Sequence, residues 1–272
     1  MPHATSKSDH VAALLAPLRK QPGSSAVFCD IDGTLAPIVE RSDEAQVPWE
    51  TRSVLDLLAH RYAVVGCLSG RRAAEARELV GVDPLVYIGN HGFERLLPGD
   101  EEAQLDPALR GHEDAAGAFV ARHLPLDELE GAGLRIEDKG PIKALHWRGA
   151  ADEAGGEAMA RQIATDALGS NLVPHWGRKV LEIRPAVNLD KGTALAELLE
   201  ERRVANALYG GDDRTDVDAF VKLHAMEATG DLVTAACIGI ASPEGPPELG
   251  EEADAMVDGP EGFLDALRTL AA

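Results

Sequence analysis

The sequence predicts an α/β fold, a parallel sheet covered by helices, interrupted by a smaller inserted α+β domain. Three observations lead there. Short apolar runs at 26–29, 63–68, 85–88, 204–209 and 235–240 alternate with helical stretches, the rhythm of βαβ units. Between them, that rhythm gives way to acidic and proline-containing stretches and to strand-like runs around a tight turn. The length, 272 residues, suits one large or two modest domains. The expected division is a discontinuous core of 1–94 and 186–272 with an inserted domain of 95–185.

In chain order, apolar residues at helical spacing over 11–18 predict a first helix, which Pro22-Gly23-Ser24-Ser25 ends before the buried strand 26–29. A helix over 49–59 follows, with Val54, Leu55, Leu57 and Leu58 as its apolar face, then strand 63–68, a helix over 72–79 and strand 85–88. Inside the insertion, a helix over 108–122 precedes strands 134–137 and 142–147, which flank Lys139-Gly140-Pro141. A helix over 153–168 and a strand at 180–183 complete it. The parallel rhythm then resumes with a helix lined by Leu195, Leu198 and Leu199, strand 204–209, a helix over 217–223 and strand 235–240. The stretch 243–252, rich in Pro, Gly and Glu, reads as a loop.

Composition narrows the function classes. Hydrophobic residues make up 45% and charged residues 26%, which excludes a disordered or fibrous chain. Lysine plus arginine number 26 against 46 aspartate plus glutamate, a formal charge of -20 that repels nucleic acid and anionic membrane surfaces. An anionic substrate would then need a local positive site, either a bound cation or particular lysines and arginines. No apolar run approaches the roughly 18 residues of a membrane span, and the first ten residues are polar, so a cytoplasmic protein is expected. Cys29, Cys67 and Cys237 each sit in or beside an apolar run and read as small buried hydrophobes of a reducing compartment. A monomer is expected, because no long apolar heptad or obvious exposed strand suggests assembly.

Four stretches carry chemistry. Strand 26–29 ends in Asp30-Ile31-Asp32-Gly33-Thr34, which places two carboxylates where an open α/β sheet hosts its ligand. Taken alone, Asp-x-Asp-Gly is also a good turn. Ser69-Gly70-Arg71 follows strand 63–68 and offers a hydroxyl and amides that suit phosphate, or simply a helix cap. Asp190-Lys191-Gly192-Thr193 opens a helix, where Lys191 is either a solvated lysine or a point charge for phosphate oxygens. Gly210-Gly211-Asp212-Asp213-Arg214-Thr215-Asp216 follows strand 204–209 with carboxylates suited to a hard cation. Bringing four carboxylates near one point would cost about 4 kcal/mol per pair at about 4 Å and an effective dielectric near 20. A divalent cation would make that arrangement tolerable.

These four motifs, in this order, resemble those of the haloacid dehalogenase (HAD) phosphatase superfamily. The resemblance implies a Rossmann-like HAD core with a parallel sheet, the insertion being an α+β cap that sets substrate specificity. It implies that Asp30 attacks phosphorus and that Asp32 serves as general acid and then general base, while Ser69 and Lys191 hold phosphate oxygens. It also implies Mg²⁺, held by Asp30, the backbone carbonyl of Asp32 and Asp212, with Asp213 in contact directly or through water.

Within the insertion, Glu137-Asp138-Lys139-Gly140 and His146-Trp147-Arg148 are similar to segments of trehalose-6-phosphate phosphatases, with Trp147 in place of the usual Tyr. FCDIDGTLAPI from Phe28, GNHGFE from Gly89, GRKVLEIRP from Gly177 and GDDRTDVDAF from Gly211 resemble the same family, although Val217 stands where it commonly has Glu. That likeness implies hydrolysis of a small-molecule sugar phosphate, trehalose 6-phosphate, and a substrate-binding set of Arg71 near the phosphate, His91 and Glu94 on sugar hydroxyls or lining the hinge, and Glu137, Lys139, His146, Arg148, Arg178 and Glu182. From spacing alone, Glu137 to Arg148 also reads as a hairpin with solvent-facing charges, the Gly92 region as a turn, and Arg71 as a surface arginine. Other readings remain open: a phosphatase for a sucrose, mannosyl or pseudo-sugar phosphate, a phosphomutase, or a non-catalytic sugar-phosphate-binding regulator.

Overall fold

The computed structural model describes residues 7–39, 44–123, 129, 131–177, 179–242 and 245–272. The chain forms two compact units, Met1–Gln104 with Leu189–Ala272, and Leu105–Asn188. The first begins with α1 (Lys7–Leu14) and α2 (Ala16–Lys20), and continues through β1 (Ser25–Cys29), α3 (Trp49–Ala59), β2 (Val64–Leu68), α4 (Ala73–Val80), β3 (Val86–Gly89), β4 (Glu94–Leu96) and β5 (Gln104–Leu105). The second unit holds α5 (Ala115–His123), β6 (Arg135–Lys139), β7 (Ile142–His146), α6 (Glu153–Leu168), β8 (Leu172–Gly177) and β9 (Val180–Pro185). The chain then returns through α7 (Lys191–Arg202), β10 (Asn206–Gly211), α8 (Arg214–Thr229), β11 (Thr234–Ala241), α9 (Pro247–Glu252), β12 (Ala255–Asp258) and α10 (Gly259–Ala271).

Strand order in the larger sheet is β12-β11-β10-β1-β2-β3-β4-β5, parallel from β12 to β3, with β4 antiparallel to β3. Both faces of its centre are buried. Val27 and Cys29 of β1 pack into one apolar cluster, with Leu55, Leu58 and Phe263, while Ala26 and Phe28 pack into another, with Leu195, Leu198 and Phe220. That two-sided burial explains why these strands read as unbroken apolar runs in place of an alternation. The chain leaves β1 toward β2 on one side and later returns to β10 on the other. The crevice at the carboxyl ends of β1 and β10 is therefore the topological switch point, where such sheets bind ligands.

The second unit folds its four antiparallel strands in the order β6-β7-β9-β8. Leu145, Leu181 and Ile183 share an apolar cluster with Ala116 and Phe119 of α5 and with Ala160 and Ile163 of α6. Glu137, Ala144, Glu182 and His175 are aligned across the four strands, on the opposite face. Among the described residues, no helix is long and apolar enough to cross a membrane.

Several expected boundaries move. The first crossing falls after Gln104, not at Glu94, because β4 pairs with β3 through Gly89 and Glu94 and so keeps the chain in the large sheet. The second falls at Leu189, three residues beyond the expected 186. The first helix is interrupted at Leu15, with Pro17, which has no N–H to donate, in the first turn of α2. The helix expected over 108–122 is shortened to α5: Pro107–Leu109 forms a single 3₁₀ turn, and Gly111 has a φ of 82°. Part of the expected loop 243–252 is the short helix α9.

Candidate active site

The site begins where β1 stops. Asp30 N donates to the Gly210 carbonyl at 2.9 Å, extending the β1/β10 ladder by one rung and setting the Asp30 carboxylate at the switch point. The chain then turns sharply, with the amides of Leu35 and Ala36 both donating to Ile31 O at 2.9 Å. Gly33 has a φ of 92°, and a Cβ there would run into the Asp212 carboxylate, so only glycine lets the two motifs touch. The Thr34 hydroxyl donates to Asp212 Oδ1 at 3.3 Å.

Lys191 is the first residue of α7, whose N-cap Asp190 accepts from Thr193 N at 2.7 Å. The solvated-lysine reading is wrong: its side chain is 1% exposed, and Nζ donates to Asp30 Oδ1 at 2.9 Å and to Asp216 Oδ1 at 2.7 Å. Asp216 Oδ1 also accepts from the Tyr209 hydroxyl at 2.6 Å, and its Oδ2 from the amides of Asp212 at 2.9 Å and Asp213 at 3.0 Å. Asp213 Oδ1 accepts in turn from Thr215 N at 2.8 Å, the Thr215 hydroxyl at 2.7 Å and Asp216 N at 3.2 Å. Asp213 and Asp216 thus close a reciprocal capping box on α8 that holds the Asp212 loop rigid.

The electrostatics follow from four aspartates and one lysine sharing a buried volume. Burial raises the Asp30 carboxyl well above its usual range, opposed by Lys191 and reinforced by Asp216, Asp213 and Asp212. Burial and the neighbouring Asp216 and Asp213 push Asp212 up to about 7, and burial lifts Asp216 to about 6 against the pull of Lys191. Asp213 goes the other way: its burial is outweighed by Lys191 and the Thr215 hydroxyl, which hold it well below the carboxylate range. Burial disfavours the Lys191 ammonium, but Asp216 and Asp30 more than compensate and hold it protonated. Carboxylate oxygens of Asp30, Asp212 and Asp216 lie within 4.8 Å of one another. One lysine cannot neutralise them, and an all-oxygen set of this charge fits a hard divalent cation.

The remaining candidates of the first unit surround this centre. Asp32 is paired bidentately with Arg71, Nε to Oδ2 and Nη2 to Oδ1 both at 2.7 Å, so Arg71 is no bystander on a helix surface. Ser69 is buried but does not cap α4: the helix starts at Ala73, and Ser69 Oγ accepts from Arg71 N at 3.1 Å. His91 N donates to Ser69 O at 2.9 Å, and Asn90 and His91 both take left-handed backbone angles, φ 51° and 58°. Burial raises the Glu94 carboxyl, and its Oε1 accepts from Ala73 N at 2.6 Å, so this side chain braces the start of α4.

In the second unit, His146 Nε2 lies 2.7 Å from Glu137 Oε2, and this contact holds Glu137 below its usual range. Lys139 Nζ donates to Glu182 Oε1 at 2.9 Å, and Arg184 Nε and Nη2 donate to Glu182 Oε2 at 3.0 and 2.6 Å. Glu137, Lys139, His146 and Glu182 therefore form paired acids and bases on one sheet face. Arg148 lies exposed beyond the end of β7, and Arg178 lies outside the described residues. Sequence reasoning passed over Asp216, Tyr209, Thr34 and Arg184. Asp216 stood inside the quoted motif, three residues after the helix-capping Asp213, a spacing that signals a capping box.

The trehalose-phosphatase family profile matches residues 28–241, a span that contains all four motifs. A trehalose-phosphate phosphatase of Mycobacterium avium (strain 104) is 35% identical over 255 residues, covering 87% of this chain and 64% of that protein. One from Mycobacterium tuberculosis (strain ATCC 25618 / H37Rv) is 34% identical over 231 residues, covering 80% and 58%. An uncharacterized glycosyl hydrolase of the same strain is 37% identical over 204 residues, which is 72% of this chain and 15% of that protein. The chain thus spans less than two thirds of the length of these relatives. Two solved structures share the fold: a trehalose-6-phosphate phosphatase related protein, with a TM-score of 0.69 at 22% identity over 90% of this chain and 96% of the other, and the C-terminal domain of C. albicans trehalose-6-phosphate phosphatase, with a TM-score of 0.72 at 21% identity over 96% of both. With its sequence aligned across both units and its carboxylates gathered at the switch point, the chain belongs to the trehalose-phosphatase family.

Proposed function

We propose that this chain hydrolyses trehalose 6-phosphate through a phospho-aspartate on Asp30. The observation that carries the proposal is the buried Lys191 bridge, which fixes Asp30 at 2.9 Å from a permanent positive charge beside Asp212 at the end of β1. In the first step an Asp30 oxygen attacks phosphorus, and the sugar oxygen leaves with a proton from Asp32. In the second, Asp32 takes a proton from water, which attacks the phosphorus of the acyl phosphate and frees Asp30. Mg²⁺, held by Asp30, Asp212 and the Asp32 carbonyl, would supply charge neutralisation for the phosphoryl oxygens.

Lys191 and Ser69 would share that neutralisation with the amides of the turn. Asp32 cannot protonate the sugar oxygen while both of its oxygens accept from Arg71, so one guanidinium bond must be given up. The incoming phosphate dianion is the competing anion for Arg71. For the sugar, we assign Glu137, Lys139, His146, Arg148, Arg178 and Glu182, with His91 and Glu94, as the polar groups that pair hydroxyls. The paired acids and bases on β6, β7 and β9 support this reading, since each pair offers both a donor and an acceptor. The buried thiols support a cytoplasmic setting.

Phosphate release from a panel of sugar phosphates, compared by kcat/KM with Mg²⁺ and with chelator, tests the proposal. Trehalose 6-phosphate should be preferred, and chelation should abolish turnover. A preference for a sucrose, mannosyl or pseudo-sugar phosphate would overturn the substrate while leaving the chemistry standing.

A further inference from the structure

Cys237 is not the isolated core thiol its apolar strand suggests. Its Sγ, a ring nitrogen of His224 from α8 and a carboxylate oxygen of Asp254, just before β12, all lie within 4.8 Å of one another. Asp254 is tied to this place twice: its amide donates to Cys237 O at 2.8 Å, and its Oδ2 accepts from Cys237 N at 2.8 Å. The same Oδ2 is 3.2 Å from His224 Nε2. A second imidazole is close by, with His10 Nε2 3.0 Å from the Asp254 carbonyl. The thiol's hydrogen-bond acceptor is Phe220 O at 3.9 Å, a long contact that holds the sulfur only loosely.

The surroundings favour a cation. Burial, together with Asp254, Glu227 and Glu252, raises the Cys237 thiol well above its usual range, so a thiolate there needs a bound cation beside it. Cys237 is fully buried, whereas the His224 and Asp254 side chains are 31% and 33% exposed, so the corner is open on one side to an ion and to a water that could complete its shell. The donor set decides which ion. Mg²⁺ and Ca²⁺ take oxygen ligands, whereas one thiolate, one imidazole and one carboxylate suit a borderline cation such as Zn²⁺. Two ligands about 2.0 Å from Zn²⁺ at a tetrahedral angle stand roughly 3.3 Å apart, close to the His224–Asp254 separation.

We propose that His224, Cys237 and Asp254 form a binding site for a Zn²⁺-class cation, separate from the all-oxygen site at Asp30. Binding releases the thiol proton to solvent and joins α8, β11 and the start of β12 through one ion. Because α8 opens with the Asp213–Asp216 capping box, such an ion would clamp the helix that carries Asp216, and it would raise the thermal stability of the protein.

Cobalt is the probe, because a thiolate ligand gives Co²⁺ a near-ultraviolet charge-transfer band that an all-oxygen site cannot give. Metal-free protein is titrated with Co²⁺ in excess Mg²⁺, then challenged with Zn²⁺. The expected result is one equivalent of Co²⁺ with the thiolate band, displaced by Zn²⁺, lost in Cys237→Ser and at least tenfold weaker in His224→Gln. Zn²⁺ should raise Tm in the parent protein and not in either variant. His224→Gln should keep the Mg²⁺-dependent hydrolysis of the parent, which shows that it folds. Absence of the band, a band unchanged in His224→Gln, or a band lost in Asp30→Asn would each overturn the proposal.

Discussion

Replacing Lys191 by Met keeps an apolar stem of similar length but removes the one positive charge, among the described residues, that is buried between Asp30 and Asp216. At 2.9 and 2.7 Å and an effective dielectric near 20, each contact is worth roughly 6 kcal/mol of Coulomb attraction before desolvation is subtracted. Leaving buried carboxylates without their partner costs about 3–5 kcal/mol by mutational experience. The carboxylates can escape part of this by taking up protons, at about 1.4 kcal/mol per pH unit. The loss should therefore depend on pH. Asp212, at about 7, and Asp216, at about 6, are largely protonated at pH 5 and ionised at pH 8. The ammonium stays charged throughout, because its own value is raised and its stabilisation is lost only above the ordinary lysine range. In chelator, Lys191→Met should lower Tm by about 10 °C at pH 8 and clearly less at pH 5. Calorimetry at the two pH values decides. A loss below about 1 kcal/mol at pH 8, or an equal loss at both, would refute the electrostatic reasoning.

Other consequences are as specific. Asp212 must be ionised to hold a cation, and with its value raised to about 7 the Mg²⁺ affinity should fall by about 100-fold from pH 8 to pH 5. Titration calorimetry that showed no pH dependence would contradict this. In the metal-free protein, the raised Asp212 and Asp216 values make stability decline as pH rises from about 4 toward 7, and Mg²⁺ should restore it. Gly33→Ala puts a Cβ into the Asp212 carboxylate at a left-handed φ, so it should cost at least about 1–2 kcal/mol in chemical denaturation and depress turnover. Asp216→Asn keeps an acceptor for the capping amides but loses the negative charge that faces Lys191; kcat should drop by about 10–100-fold with native circular dichroism, and unchanged kcat would show that Lys191 needs no such anchor.

The central architecture was legible because its strands are buried on both faces. Runs such as Ala26-Val27-Phe28-Cys29 have no polar alternation and so announce a parallel sheet. Asp30 and Ser69 were legible because each follows such a run directly, and Asp212 because only Gly210 and Gly211 separate it from the run 204–209. The shorter edges were not: β4 is three residues long, and its pairing with β3 lies in a backbone register that side chains do not advertise. Nor could spacing show that Lys191 is buried, since that depends on Asp216 from another helix approaching to 2.7 Å. Glu94 illustrates the same limit. Its motif suggested sugar binding, and no spacing showed that its Oε1 also accepts from Ala73 N. Asp32 and Arg71, 39 residues apart, meet only because β1 and β2 are neighbours in register.

If Asp30 is the nucleophile, it carries the phosphoryl group between the two steps. Acid quenching during turnover of radiolabelled trehalose 6-phosphate, followed by peptide mapping, tests it most directly. Label is expected on the peptide containing Asp30, acid-stable and released by base, with no label or turnover in Asp30→Asn. Turnover without protein-bound label, or label that persists in Asp30→Asn, would contradict it.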